Sequence, residues 1–212
     1  MKDIPVFTTQ YGAASLILSQ IPYREEGYIR VQSSLEPKLL LDECVQFLRA
    51  CGAERIYATG EDLPQDLPVY TELVQMQIAK DALPETEAAL WPVLPENLSQ
   101  WAELYNQKTA RIPMGAWMTD PQRKELLASG EGYFVHKNGK LLGIGRASGD
   151  TIHFVASVSP GAGADVVAAL AYATHAPVLQ LTVASTNEKA LRLYENLGFI
   201  KTKQISTWYC VK

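Results

Sequence analysis

The chain has 212 residues, of which 47% are apolar and 20% are charged, and its net charge is −4. This balance is typical of a folded soluble protein and excludes a disordered chain, and the length suffices for one large domain or two small ones. Because there is no basic excess, the composition indicates neither nucleic acid nor an anionic membrane as a partner.

Three cysteines, an odd number, argue against a disulfide framework, and no Cys/His cluster has the spacing of a metal site. Residues 1–5 contain no apolar core of a secretory signal. The most apolar stretch, residues 166–184, is interrupted by polar residues and a proline, so it is not a membrane span. These features predict a cytoplasmic protein without a metal site.

The first part of the chain predicts strands at residues 13–18, 27–32, 55–59 and 69–78, because short apolar runs there are rich in β-branched residues or alternate with polar ones. Between the second and third strands, apolar residues recur at helical spacing. We expect a helix there, with Ser34 as its N-cap and Gly52 as its C-terminal stop.

Residues 81–95 contain three prolines and break the pattern of regular elements. We interpret this stretch as a linker, with a domain boundary near residue 86. The prediction is therefore a small α/β domain over residues 1–86 and a second domain over residues 87–212.

The second half predicts helices and strands in an α+β order. We expect helices at residues 97–108, 121–129 and 165–174 and strands at 132–136, 141–146, 151–158, 178–183 and 200–211. Thr119 or Asp120 is the expected cap of the second helix. A capping box that begins at Ser185 predicts a last helix that ends before Gly198. The first half repeats part of this order, either through an internal duplication with one eroded copy or by chance.

The most informative segment is LTVASTNEKALRLYENLGF at residues 181–199. It combines an apolar strand, a short loop, the pattern Asn-x-x-Ala-x-x-Leu-Tyr-Glu-x-x-Gly-Phe and a following strand. This arrangement resembles the C-terminal motif of the GNAT superfamily, the acetyl-CoA-dependent N-acetyltransferases. The likeness is sharp over these last residues and extends, as an order of elements, over roughly residues 90 to 212.

The resemblance implies a mixed, splayed central sheet flanked by helices and preceded by a smaller α/β domain of similar element order. It implies direct transfer of an acetyl group from acetyl-CoA to a primary amine of a small molecule or peptide. In that family the pantetheine arm lies in a gap between two parallel strands. By this likeness Ala156 and Val158 would offer backbone groups to the arm, and Asn187 would meet it from the helix start.

Two residues are candidates for catalysis within this resemblance. Tyr194 would protonate the departing thiolate, the alternative being an aromatic side chain packed in the core. His153 would act as the base, because its ordinary pKa near ~6.5 suits that task. Strand alternation would place His153 with Val155 and Ser157 on one face, and a surface or hydrogen-bonded core histidine is the alternative.

The pyrophosphate loop of the family would correspond to Gly161, Ala162, Gly163 and Ala164, which open a helix after the Val-x-Pro lead-in of residues 158–160. Backbone N–H groups and the helix dipole bind phosphate at such a position. The family's Arg or Gln is absent here, and the loop is about one residue short. Asp165 is expected to satisfy the same N–H groups and to repel phosphate, and a simple tight turn is the alternative.

These departures keep a second hypothesis open: a catalytically weak or inactive GNAT-fold protein that binds acyl-CoA or a protein partner. A third hypothesis makes the N-terminal domain the working part, although residues 1–86 contain no motif. Residues 112–120 form a loop that covers the acceptor in the family. The sequence does not determine the acceptor or the acyl chain, and a homodimer is compatible with it.

Overall fold

The computed structural model describes residues 5–211 of the chain. The strands are β1 (Val6–Thr9), β2 (Gly12–Ile17), β3 (Glu26–Ser34), β4 (Arg55–Thr59), β5 (Val69–Ala79), β6 (Ala89–Pro92), β7 (Gly132–Lys137), β8 (Lys140–Ser148), β9 (Thr151–Ser157), β10 (Val178–Ala184) and β11 (Ile200–Cys210). The helices are α1 (Ile21–Arg24), α2 (Pro37–Ala50), α3 (Leu98–Thr109), α4 (Asp120–Ser129), α5 (Gly163–Ala171) and α6 (Glu188–Leu197), with a 3-10 turn at Lys80–Ala82. The predicted α+β class is confirmed.

The first compact unit contains the residues up to Leu73 together with those from Gln204 onward. Its strand order is β1-β2-β3-β4-β11-β5, with β1, β2 and β3 antiparallel, β4 parallel to β3, and β11 antiparallel to β4. Helix α2 packs its apolar face on β2 and β3. The crossover helix between parallel β3 and β4 follows the usual βαβ arrangement.

The second unit contains Val74–Lys203, and its strand order is β5-β10-β9-β8-β7-β6. Strands β6 to β9 form an antiparallel meander, and β10 is parallel to β9. Helix α5 packs on β8 and β9, whereas α3 and α4 contribute to a separate apolar cluster around Trp101, Phe134 and Phe154. The element order strand, strand, strand, helix, parallel strand therefore occurs in both units.

Three short elements were not predicted. Residues 89–92 belong to the expected linker, yet they form β6, which pairs antiparallel with β7. The prolines are tolerated there because β6 is the last strand in the order of this unit, and Pro92 needs no ladder N–H on its open side. Strand β1 and the single-turn helix α1 were also absent from the prediction.

Two predicted helix caps are wrong. Ser34 is the last residue of β3, and α2 begins at Pro37 with Glu36 as N-cap. Ser185 does not cap α6, since Asn187 is the N-cap. The predicted stops are confirmed at Gly52 and Gly198, where φ is +95° for each, a conformation that glycine adopts without steric cost.

The boundary near residue 86 stays a prediction, and the compact units divide the chain at Leu73 and at Lys203. The strand beside β10 comes from residues 74–79, so the segment 87–212 does not contain every strand of the second unit.

All three cysteines are free thiols. Residues 5–211 include no helix long and apolar enough to cross a bilayer, and the expectation about a leader segment rests mainly on residues 1–4, outside the described residues.

A close approach between β8 and α5 holds the second unit's core together. A Cβ built on Gly145 would lie 2.2 Å from Leu170 Cδ1, and Leu170 is fully buried. Only glycine lets the helix approach the strand this closely. Since α5 begins beside the gap between β9 and β10, this contact also sets the position of the site described below.

We expect Gly145→Ala to lower the free energy of unfolding by about 1–3 kcal/mol, because the added methyl overpacks a buried contact. Chemical denaturation measures the loss. The double variant Gly145→Ala/Leu170→Ala is the control, since removing the Leu170 methyls frees the space and should make the two losses clearly non-additive. Additive losses would contradict the assignment of the effect to this contact.

Candidate functional site

The parallel strands β9 and β10 separate almost as soon as they meet. They pair at a single residue pair, Thr151 with Gln180, supported by a 2.8 Å bond from Gln180 N–H to the Asp150 carbonyl. In the antiparallel ladder between β8 and β9, Arg146 faces Phe154 and Ala147 faces Ile152, so His153 is an extra residue in β9. Such a β-bulge bends the strand and terminates pairing.

The corresponding strands of the first unit do not separate. There, β3 and β4 pair in register over five residue pairs, from Glu26–Arg55 to Arg30–Thr59, which is the whole of β4. No register shift interrupts this ladder. The same parallel arrangement is therefore closed in one unit and open in the other. Both β3 and β9 carry an extra residue, but Gln32 of β3 lies beyond the five paired residues, whereas His153 of β9 lies two positions after its one pair.

Beyond the point where β9 and β10 separate, the end of β9 borders a cavity of about 670 Å³, here called the wedge cavity. Its walls come from the end of β9, the start of α5, the start of α6 and the end of α3 with the following loop. The residues that line it are Lys108, Arg111, Ile112, Pro113, Val155, Ala156, Ser157, Gly163, Thr186, Asn187, Glu188, Lys189, Ala190, Leu193 and Tyr194. Residues that were predicted for the site, such as Asn187 and Tyr194, therefore line the same cavity as residues that were not predicted, such as Lys108.

The backbone groups that face the opening belong to Val155 and Ser157. The Val158 N–H donates to the Leu142 carbonyl at 2.7 Å, so it points toward β8 and away from the opening. Because orientation alternates along an antiparallel ladder, Ala156, opposite Ile144, also bonds toward β8. The prediction that Ala156 and Val158 offer backbone groups to a ligand is corrected by one position.

Tyr194 lies in the wall of the wedge cavity with only 7% of its surface exposed. Its ring packs against Phe199 at 5.6 Å between centroids. Burial raises the pKa of its phenol to about 12, because the phenolate loses water contact. The side chain is therefore protonated throughout the physiological range and presents a neutral O–H group.

His153 does not reach the wedge cavity. It is exposed at the bulge, where its Nε2 lies 2.9 Å from the Ser148 hydroxyl. The bulge also breaks the predicted alternation, because Ile152 and Val155 pack into one apolar cluster while Phe154 packs into another. Loss of water contact lowers the pKa of His153, and the charge of Arg146 lowers it further. His153 therefore occupies the extra position of β9 and is not among the residues that line the wedge cavity, and its role as a base stays a prediction.

Asn187 occupies the start of α6, where its side-chain oxygen accepts the Ala190 N–H at 3.4 Å. A capping side chain of this type satisfies one of the free donors at a helix start. The side-chain oxygen is thus engaged, although the residue lines the wedge cavity.

Two residues on the same face of α6, Ala190 and Leu193, complete that wall and were not predicted as site residues. Their recurrence with Asn187 and Tyr194 at helical spacing is the signal that identifies them.

Of the predicted phosphate loop, only Gly163 lines the wedge cavity. The start of α5 has no side-chain cap. Asp165 was expected to satisfy the N–H groups there, but its side chain is engaged elsewhere. Its carboxylate accepts a 2.6 Å hydrogen bond from Thr86 and lies 3.6 Å from Lys137 Nζ. The remaining loop residues, Gly161, Ala162 and Ala164, are not brought to the wedge cavity.

The charges of the wedge cavity differ in sign from the chain as a whole. Three cations, Lys108, Arg111 and Lys189, line it together with one carboxylate, Glu188. Glu188 is exposed and pairs with Arg192 at 3.1 Å. A cluster of positive charge on an acidic protein favours an anionic ligand. No local sequence pattern predicted this cluster, because its cations come from two distant segments.

Comparison with solved structures identifies the fold. A conserved protein of unknown function from Staphylococcus epidermidis superimposes with a TM-score of 0.62 at 11% identity, covering 99% of this chain and 94% of the other. A GCN5-related N-acetyltransferase from Kribbella flavida gives 0.56 at 12%, covering 96% and 58%. A protein from Pyrococcus horikoshii assigned as an acetyltransferase gives 0.55 at 13%, covering 95% and 70%.

These likenesses show the GNAT type of fold and confirm that prediction. At such low identity they show the fold alone. No protein-family model matches the sequence, and no curated protein matches it either.

Stability at high pH is expected to depend on Tyr194. The folded chain raises its pKa to about 12, above the ordinary value near ~10, so its contribution is complete below pH 10 and is lost as the pH rises toward 12. Between pH 9 and 11, wild type should lose on the order of 1 kcal/mol more free energy of unfolding than Tyr194→Phe. Denaturant titrations measure this difference, with the exposed Tyr172→Phe as matched control. Equal losses in wild type and Tyr194→Phe would contradict it.

Proposed function

We propose that the second unit is an N-acyltransferase that moves an acyl group from acyl-CoA to a primary amine. The observation that carries the proposal is the separation of β9 and β10 after one residue pair, which leaves a cavity of about 670 Å³ beside an unpaired strand edge. A thioester with a long flexible arm fits an opening of this kind, because the arm can take the hydrogen-bonding place of the missing strand.

The wall residues suit that ligand. Val155 and Ser157 present backbone groups to the opening, and the small side chain of Ala190 leaves space at the wall formed by α6. A Cβ on Gly163 would meet Leu193 at 2.8 Å, so the helices approach each other closely at this point. The cations of the wedge cavity favour the phosphates that acyl-CoA carries.

In the proposed acyl transfer, the protonated phenol of Tyr194 acts as the general acid. Acyl-CoA supplies a thioester, whose C–S bond breaks as the nitrogen lone pair of a neutral amine forms the new C–N bond. The phenol of Tyr194 keeps its proton at neutral pH and donates it to the sulfur that leaves. The proton released by the amine passes to solvent, and the Tyr194 phenolate takes up a proton from solvent, which restores the phenol. We propose acetyl-CoA as the acyl donor and a small molecule or peptide as the amine.

Filling the wedge cavity should abolish ligand binding. We expect Ala190→Trp to weaken acetyl-CoA binding at least about tenfold, since the indole occupies the space between the helices. Isothermal titration calorimetry measures the affinity. Arg192→Trp, on the exposed side of the same helix and outside the cavity lining, is the matched control and should bind as wild type does. Wild-type affinity of Ala190→Trp for acetyl-CoA would contradict the proposed location of the acyl-CoA site.

Removing the phenol should separate binding from turnover. We expect Tyr194→Phe to bind acetyl-CoA within about twofold of wild type while its kcat falls by roughly a hundredfold to ten-thousandfold, the range of a general acid. A thiol-release assay against a panel of primary amines measures the rate. Unchanged turnover in Tyr194→Phe would remove the acid role and leave the tyrosine as a packing residue.

A second candidate function is a GNAT-fold protein that binds acyl-CoA, or a protein partner, without efficient transfer. Two observations favour it: no histidine or aspartate is among the described residues that line the wedge cavity, and Asp165 stands in the first turn of α5. Binding of acetyl-CoA without turnover on any amine in the panel would select this candidate. Absence of binding at millimolar acetyl-CoA would exclude both acyl-CoA readings.

A further inference from the structure

A second cavity, of about 620 Å³, lies between α3 and α4 and is here called the α3–α4 cavity. The residues that form its walls include Glu103, Asn106, Ala110, Trp117 and Arg123. None of its lining residues lines the wedge cavity. It is therefore a separate concavity of the second unit.

The walls of the α3–α4 cavity are held in place by buried hydrogen bonds. Asn106 is 5% exposed, and its side-chain oxygen accepts the Met118 N–H at 2.7 Å. The Thr109 hydroxyl lies 3.1 Å from the Ala116 carbonyl and 2.9 Å from the Tyr105 carbonyl. These bonds fix the loop that carries Trp117 against α3. A preformed wall lowers the ordering cost of binding a ligand.

Arg123 contributes a cationic side chain to the lining of this cavity, and that side chain is 34% exposed. Its Nε is buried and has no hydrogen-bond partner among the described residues. The nearest carboxylate, Asp120, approaches only the Nη1 atom, at 3.7 Å, and its side chain is 87% exposed. A guanidinium is suited to binding a carboxylate through two parallel hydrogen bonds.

The other walls restrict what such a carboxylate can belong to. Trp117 supplies a flat apolar surface, and Ala110 leaves room beside it. Glu103 is the one carboxylate among the lining residues, and Arg123 is the one cation. A ligand with a carboxylate alone would approach Glu103 with like charge, whereas a zwitterion matches both charged walls.

We propose that the α3–α4 cavity binds a free amino acid with an apolar side chain. Its carboxylate pairs with Arg123, its ammonium group is attracted by Glu103, and its side chain packs on Trp117. The segment 107–113 contributes residues to this cavity and to the wedge cavity on its other side. Binding here does not depend on the proposed transfer reaction, since it is measured without acyl-CoA.

Calorimetry on the whole protein without acyl-CoA tests the proposal, with L-phenylalanine as the probe. We expect saturable binding that Arg123→Gln weakens at least about tenfold and Glu103→Gln weakens several-fold. Lys124→Gln is the matched control, because it removes the same charge from the next position of α4 and lies outside the cavity lining. It should bind as wild type does. The shift of the Trp117 indole N–H in NMR spectra locates the ligand.

Two analogues decide the ligand class in wild type alone, even if a variant fails to fold. 3-Phenylpropionate lacks the ammonium group and phenethylamine lacks the carboxylate, so each should bind at least about fivefold more weakly than L-phenylalanine. The proposal is overturned if wild type shows no saturable binding of L-phenylalanine, if 3-phenylpropionate binds equally well, or if a folded Arg123→Gln keeps wild-type affinity.

Discussion

One extra residue in β9 marks the place where its pairing with β10 ends. A parallel ladder requires each strand to keep step with its neighbour, and the bulge at His153 shifts β9 out of step with β10 after Thr151. The backbone groups of Val155 and Ser157 are left facing an opening instead of a strand. Because polar backbone groups need partners, this edge is the feature on which the proposed acyl-CoA site rests.

The displacement of β9 also affects the part of α6 that carries the motif from Asn187 to Phe199. Tyr194 and Ala190 project from one face of a helix, and in a closed sheet that face would only meet packed hydrocarbon. With β9 displaced, the face borders the wedge cavity. The phenol is still largely withdrawn from water, which keeps it protonated. Positive side chains from α3 and α6 converge on the same opening, although the whole chain is acidic.

The two units repeat one order of elements but differ in what that order produces. In the first unit, β3 and β4 pair over five residue pairs without interruption, and in the second, β9 and β10 pair at one. A common origin for the two halves is a proposal that this repetition supports. The compact units do not follow the halves of the sequence, however, because parts of β5 and β11 belong to each unit.

The sequence by itself determined the elements whose signal is local. Apolar periodicity and glycine stops placed α2, β4, α3 and β10, and the fixed spacing from Asn187 to Phe199 indicated the fold type and the face of α6 that matters. Local signals failed where two residues nearby could both act as a helix cap. Ser185 was predicted to cap α6, but Asn187, two residues later, is the N-cap.

Only the tertiary structure decided which residues meet. The bulge at His153 depends on the pairing with β8, and a shift of one residue exchanged Ala156 and Val158 for Val155 and Ser157 at the opening. The strand beside β10 comes from residues 74–79, about a hundred positions earlier. Ladder register and the convergence of Lys108, Arg111 and Lys189 are products of long-range contacts, which no local window of sequence contains.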